Sequence, residues 1–206
     1  MLVAVVDYGM GNLHSVAKAL EAVGADVLVT NKPEDLQRAE RIVLPGQGAF
    51  RDCMANLKAS GLVDALSEEV RGQGKPFLGI CLGLQLLAEV SYENGIYEGL
   101  GWLPGRVELL TVNDTGLKLP HIGWNEVTFH GTPLAQGIKA HSCFYFDHSY
   151  HFVSQSQDLP IASCEYGGTF TAGVKRGNVI AVQFHPEKSQ EVGLRLLKNF
   201  LAWKAN

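Results

Sequence analysis

Short apolar runs rich in β-branched residues alternate with amphipathic stretches through the first half of the chain, the rhythm of an α/β protein with a mainly parallel sheet. Leu2–Asp7 reads as a buried strand. Gly9-Met-Gly-Asn-Leu then opens a helix through about Val23, with Val16, Leu20 and Val23 at helical spacing, and Ala25–Thr30 is the next strand. Arg41–Pro45 is a third strand, helices follow over Phe50–Lys58 and Leu62–Gly72, and Pro76–Ile80 gives a fourth strand running directly into Cys81 and an apolar helix. Beyond Glu89 the texture changes to Gly-rich turns between short extended segments: Gly105–Leu110, Glu126–Phe129, Cys143–Phe146, Ile161–Tyr166, Thr169–Lys175 and Asn178–Gln183. These predict hairpins added to the sheet. Gln190–Trp203 closes the chain as an amphipathic helix. The expected fold is a mainly parallel central sheet flanked by helices, with added antiparallel hairpins.

Composition narrows the function classes. A chain of 206 residues, 46% hydrophobic, can bury one sizeable core, so a single domain over 1–206 is expected. The formal charge of −4, with 17 basic residues scattered among 21 acidic ones, offers no footprint for nucleic acid or an anionic membrane. A small-molecule substrate and a protein partner fit better. The four cysteines show no CxxC pairing, which argues against a zinc site or a disulfide framework and points to a reducing cytoplasm. The N-terminal apolar run stops at Asp7, too short for a signal peptide, and no later stretch reaches the roughly 20 residues of a membrane span. Gly9-x-Gly11 lacks the third glycine of a dinucleotide fold, and the histidines form no metal-ligand spacing, so neither cofactor nor metal is expected.

Three segments carry chemistry. Phe77-Leu-Gly79-Ile-Cys81-Leu82-Gly83 has the shape of a nucleophile elbow, where glycines two positions either side of the cysteine allow strand and helix to approach closely. Taken alone, Cys81 reads also as an ordinary buried cysteine. Val182-Gln-Phe-His185-Pro186-Glu187 ends a strand in an imidazole followed by a carboxylate, a base and the group that orients it. Leu44-Pro45-Gly46-Gln47-Gly48 follows the third strand, and its amides could complete an oxyanion hole with that of Leu82; a plain strand-to-helix turn has the same composition.

Together and in this order, the three motifs resemble the class I (triad) glutamine amidotransferases over the whole chain. Asp7-Tyr8-Gly9-Met-Gly11-Asn12, Pro120-His121-Ile122-Gly123-Trp124-Asn125 and the ending His-Pro-Glu-Lys188-Ser189 resemble in particular the glutaminase subunits of imidazole glycerol phosphate synthase. The resemblance implies a triad of Cys81, His185 and Glu187, a glutamyl thioester, and an oxyanion hole from the amides of Gln47 and Leu82. It assigns Gly48, Gln85, Ser149 and Tyr150 to glutamine, and Trp124, Asn125 and Lys188 to the face toward a partner. That partner is the cyclase (β/α)8-barrel subunit, which takes up the ammonia to make imidazole glycerol phosphate and an aminoimidazole carboxamide ribonucleotide. Of the other histidines, His148 and His151, beside Ser149 and Tyr150, are expected to line the glutamine pocket. Two residues depart from the pattern: Gln47 replaces a small apolar residue in a loop that in the family reorients a peptide on activation, and Asp147 interrupts an apolar stretch. Two other readings stay open on sequence alone, a glutaminase component of the anthranilate or pyridoxal phosphate synthase type and a non-catalytic subunit of the same fold.

Overall fold

The computed structural model describes residues 1–112 and 116–205. In chain order its first half runs β1 (Leu2–Val6), α1 (Leu13–Ala22), β2 (Asp26–Thr30), α2 (Pro33–Arg38), β3 (Arg41–Gly46), α3 (Phe50–Ala59), α4 (Leu62–Ser67), β4 (Phe77–Cys81) and α5 (Leu82–Gln85). Then come β5 (Val90–Ser91), β6 (Tyr97–Glu98), β7 (Gly105–Leu109), β8 (His121–Glu126), β9 (Thr128–Phe129), β10 (Cys143–His148), β11 (Tyr150–Ser154), β12 (Pro160–Glu165), β13 (Thr169–Arg176), β14 (Val179–Val182) and α6 (Gln190–Ala202). Among the described residues the main sheet has the order β2-β1-β3-β4-β14-β13-β12-β9. Its first five strands are parallel, and β13, β12 and β9 extend one edge antiparallel.

Continuous apolar runs are what a sheet covered on both faces requires. Val3 and Val5 of β1, Val43 of β3, and Leu78 and Ile80 of β4 pack against α1 and α6 through Leu20, Leu197 and Phe200. The alternate residues Ala4, Val6, Ile42, Leu44 and Phe77 pack on the opposite face with Leu36, Leu57, Leu62 and Leu66 of α2 to α4. All of these are buried. At roughly 1.5–3 kcal/mol for each large aliphatic or aromatic side chain fully buried, the two layers hold the central strands in fixed register.

Two expectations need correction. The hairpins do not all join the main sheet: β8 and β10 form a separate two-stranded ribbon, and β11-β7-β5-β6 a small sheet of their own. The helix after Cys81 is also only one turn long, Leu82–Gln85. The next carbonyls are taken from outside: Leu86 O by Leu100 N–H, Leu87 O by the amides of Trp102 and Leu103, and Ala88 O by Gly101 N–H. The amides of Leu87 and Ala88 turn more tightly, onto Leu84 O and Gln85 O, and with the Leu86–Ala88 carbonyls occupied the helix cannot run on beyond them.

Candidate active site

Because β3, β4 and β14 are parallel neighbours, whatever follows them emerges from one edge of the sheet, where α/β folds bind their ligands. Gly46 pairs with Cys81 and Val182 with Ile80, so the Gly46–Gly48 loop, the elbow and the Gln183–Glu187 segment leave side by side. That alignment brings together three motifs spread over more than a hundred residues of sequence.

At the elbow Cys81 has φ 55° and ψ −111°, a conformation that side-chain-bearing residues avoid and that is held by its surroundings. Glycines make the turn possible. A Cβ on Gly83 would lie 2.0 Å from Leu44 O, and one on Gly79 would lie 2.9 Å from Gly83 O. The thiol is nearly buried, with Sγ 4.0 Å from Asp147 O and accepting from Gln183 Nε2 at 3.7 Å. Leu82, as the first residue of α5, has an amide without an intrahelical acceptor beside the sulfur.

His185 comes off β14 with its backbone pinned. Its N–H donates to Tyr145 O at 2.8 Å, its carbonyl accepts from Ser189 Oγ at 2.6 Å, and Ser189 Oγ in turn accepts from Tyr145 N–H. Pro186–Lys188 makes a single 3-10 turn that swings Glu187 back, so His185 Nδ1 donates to Glu187 Oε1 at 2.8 Å with both side chains buried. That bond leaves Nε2 for the sulfur. Burial opposes charge on the ring, but the Cys81 sulfur and then the Glu187 carboxylate outweigh it and push His185 up to about 10.

A cavity of about 340 Å³ opens onto Cys81, at the small end of the range for ligand pockets. Gln47, Gly48, Leu82, Gln85, Ser149 and Tyr150, all singled out from sequence, line it, and Asp147 and His148 complete the wall beside the sulfur. Gln85 is buried, its Nε2 donating to Tyr150 O at 2.8 Å and to Gln183 Oε1 at 3.0 Å. Burial lowers His148 to about 3 and its neighbour His121 to about 4, so both rings are neutral at pH 7. His151 is not in this cavity; it lines a separate groove with Phe170 and Thr171. No group of three or more metal-ligating side chains occurs among the described residues.

The residues expected on the partner face divide. Trp124 is 48% exposed beside Ile122 at 59%, and Lys188 Nζ stands 5.4 Å from the centre of the Tyr145 ring, which itself meets Trp124 edge-on. Asn125 alternates to the other side of β8, where its Nδ2 lies 3.3 Å from His121 Nε2 and donates to Glu165 O at 2.9 Å. Two residues of the site escaped the sequence reading. Gln183, which donates to the Cys81 sulfur from beneath the cavity, was detectable as a polar, wholly buried position between Val182 and Phe184. Glu93, whose carboxylate accepts from Phe50 N–H at 2.8 Å, gave no signal, because it reaches the site from a turn after β5.

Comparison with known proteins gives the family. The family model described as glutamine amidotransferase class-I matches residues 4–203. An "imidazole glycerol phosphate synthase subunit HisH" from Rhodospirillum rubrum is 48% identical over 212 residues, spanning 98% of this chain and 99% of its own. One of the same name from Chromobacterium violaceum is 49% identical over 214 residues and the full length of both chains. Among solved structures, a glutamine amidotransferase superposes with a TM-score of 0.75 at 22% identity, covering 97% of both chains. PurLQS from Thermotoga maritima gives 0.72 at 21%, covering 98% of this chain and 97% of that one. At those identities the structures speak for the fold alone. With nearly half its residues shared over full length with the HisH subunits, the chain belongs to the class I glutamine amidotransferases and, within them, to the HisH family of imidazole glycerol phosphate synthase subunits.

Proposed function

We propose that this chain is a glutaminase, with Cys81 as nucleophile, His185 as proton carrier and Glu187 as its orienter, that hydrolyses glutamine and hands the ammonia to a (β/α)8-barrel synthase partner. The observation that carries this reading is the buried His185–Glu187 pair with its ring ionisation coupled to the Cys81 sulfur. Cys81 Sγ attacks the side-chain carboxamide carbon of glutamine. The carbonyl becomes an oxyanion facing the amides of Leu82 and Gln47, and collapse breaks the C–N bond as His185 gives its proton to the departing nitrogen. Water, losing a proton to His185, then attacks the thioester, releasing glutamate and restoring the thiol. Gly48, Gln85, Ser149 and Tyr150 form the part of the cavity that takes the amino-acid end of the substrate.

Ammonia kept from solvent needs a docked acceptor, and the ribbon face of Ile122, Trp124 and Lys188 has the exposed apolar surface a protein partner covers. Asn125 supports that face from behind. The family model's span and a site drawn from residues 47 to 187 support treating the whole chain as one domain. No helix among the described residues is long and apolar enough to cross a membrane. Glutamate release from glutamine tests the proposal, measured on the chain alone and with a barrel synthase subunit plus its nucleotide ligand. A low rate alone that rises with the partner and disappears in Cys81→Ala, while synthesis from added ammonia survives, is expected. Glutamate release that persists in Cys81→Ala, or none under either condition, would refute it.

A further inference from the structure

Oxyanion holes work when their donors are held before the charge develops, so what fixes the Gly46–Gly48 loop matters as much as its amides. Two buried side chains from different elements reach the loop from below. Tyr8, just after β1, donates its hydroxyl to Pro45 O at 2.9 Å. Cys53, in the first turn of α3, directs its thiol at Gln47 O at 3.4 Å. Tyr8 is 4% exposed and Cys53 not at all, and the two side chains face each other. Burial pushes the Cys53 thiol up to about 11 and raises the Tyr8 phenol further still, so both keep the protons they donate. At the far end, Glu93 holds the amide of Phe50.

These anchors divide the loop peptide by peptide. The Pro45–Gly46 peptide is held through its carbonyl by Tyr8, and the Gln47–Gly48 peptide through its carbonyl by Cys53. In a trans peptide the N–H points opposite the C=O. Tying Gln47 O down toward α3 therefore turns the Gly48 amide away from the core, toward the cavity that Gly48 lines. Between the two lies the Gly46–Gln47 peptide, whose Gln47 N–H donates to no group among the described residues and which glycine flanks on one side.

Building on the glutaminase reading, we infer that Tyr8 and Cys53 are positioning residues of the oxyanion loop, fixing its two outer peptides so that reorientation is confined to the Gly46–Gln47 peptide. Neither touches substrate. Their loss lets the loop sample arrangements in which the Gln47 amide misses the oxyanion, an effect read mainly on the chemical step.

The test uses Cys53→Ala, Cys53→Ser and Tyr8→Phe in the full chain. With the barrel partner bound, Cys53→Ala and Tyr8→Phe should each lower kcat about tenfold with KM within about twofold. Cys53→Ser, which keeps a donor, should stay within about threefold of the parent. Backbone NMR of the free chain gives a readout that does not depend on turnover: the Gln47 and Gly48 amide signals should shift or broaden in Cys53→Ala and hold in Cys53→Ser. Unchanged kcat and amide signals in Cys53→Ala, or equal losses in Cys53→Ser and Cys53→Ala, would overturn the inference. If the parent chain released no glutamate, the functional reading would fall while the amide signals still decided the anchoring.

Discussion

His185 concentrates the electrostatics of the site in one ring. Burial alone would leave it neutral, yet the Cys81 sulfur and the Glu187 carboxylate hold it protonated well beyond the ordinary histidine range. A folded-state value of about 10, above the unfolded 6.5, contributes stability that is complete below 6.5 and is lost as pH rises through about 10. The imidazole should therefore show no deprotonation up to about pH 8 by NMR, and in Cys81→Ala its titration should move down, since the largest attraction on the ring has gone. Titration of the parent near 6.5 would contradict the coupling. The same scale shows what single residues told in advance. Cys81, His185 and Glu187 stood out because their neighbours fix a turn chemistry, a glycine pair in one case and a proline in the other, and the structure brings the three together. Glu93 could not, because its place in the cavity is created by packing between distant elements.

For the elements, legibility followed burial. Strands β1 and β4 are apolar along their length, as is β3 after Arg41, and all three lie between two helical layers, so their sequence announces them. Strand β8 inverts the usual rule: Ile122 and Trp124 face outward while His121 is buried, so its alternation carries no conventional signal. Strand β11 buries only Phe152 fully, and α2 buries only Leu36, too little pattern for either to stand out. The apolar stretch after Cys81 misled in the other direction. Leu84, Leu86 and Leu87 are all buried as a helix would have them, but the turn tightens after Gln85 and the Leu100–Leu103 segment claims the carbonyls of Leu86 to Ala88, so no further helix follows. The elbow itself depends on close approach to β3. Gly83→Ala should cost about 3 kcal/mol of unfolding free energy, read from the urea midpoint, because the new methyl meets a backbone oxygen that cannot move aside. A loss under about 0.5 kcal/mol, the range of an uneventful surface change, would mean that the contact is not as tight as described.

Across the whole molecule, the organisation is one of convergence. Parallel adjacency of β3, β4 and β14 delivers the Gly46–Gly48 loop, Cys81 and His185 to one sheet edge, while the β8–β10 ribbon sets an exposed aromatic and apolar face next to His185 through the Tyr145–His185 bridge. Tyr145, which meets Trp124 on that face, also holds the His185 backbone N–H. All of this rests on Cys81 being the nucleophile, and the most direct measurement is mass-spectrometric mapping of a glutamine-analogue electrophile on the intact chain. The account predicts modification at Cys81 alone of the four cysteines, slowed by added glutamine, although Cys143 is the exposed one. Modification at Cys143 instead, or labelling of Cys81 that glutamine does not slow, would contradict it.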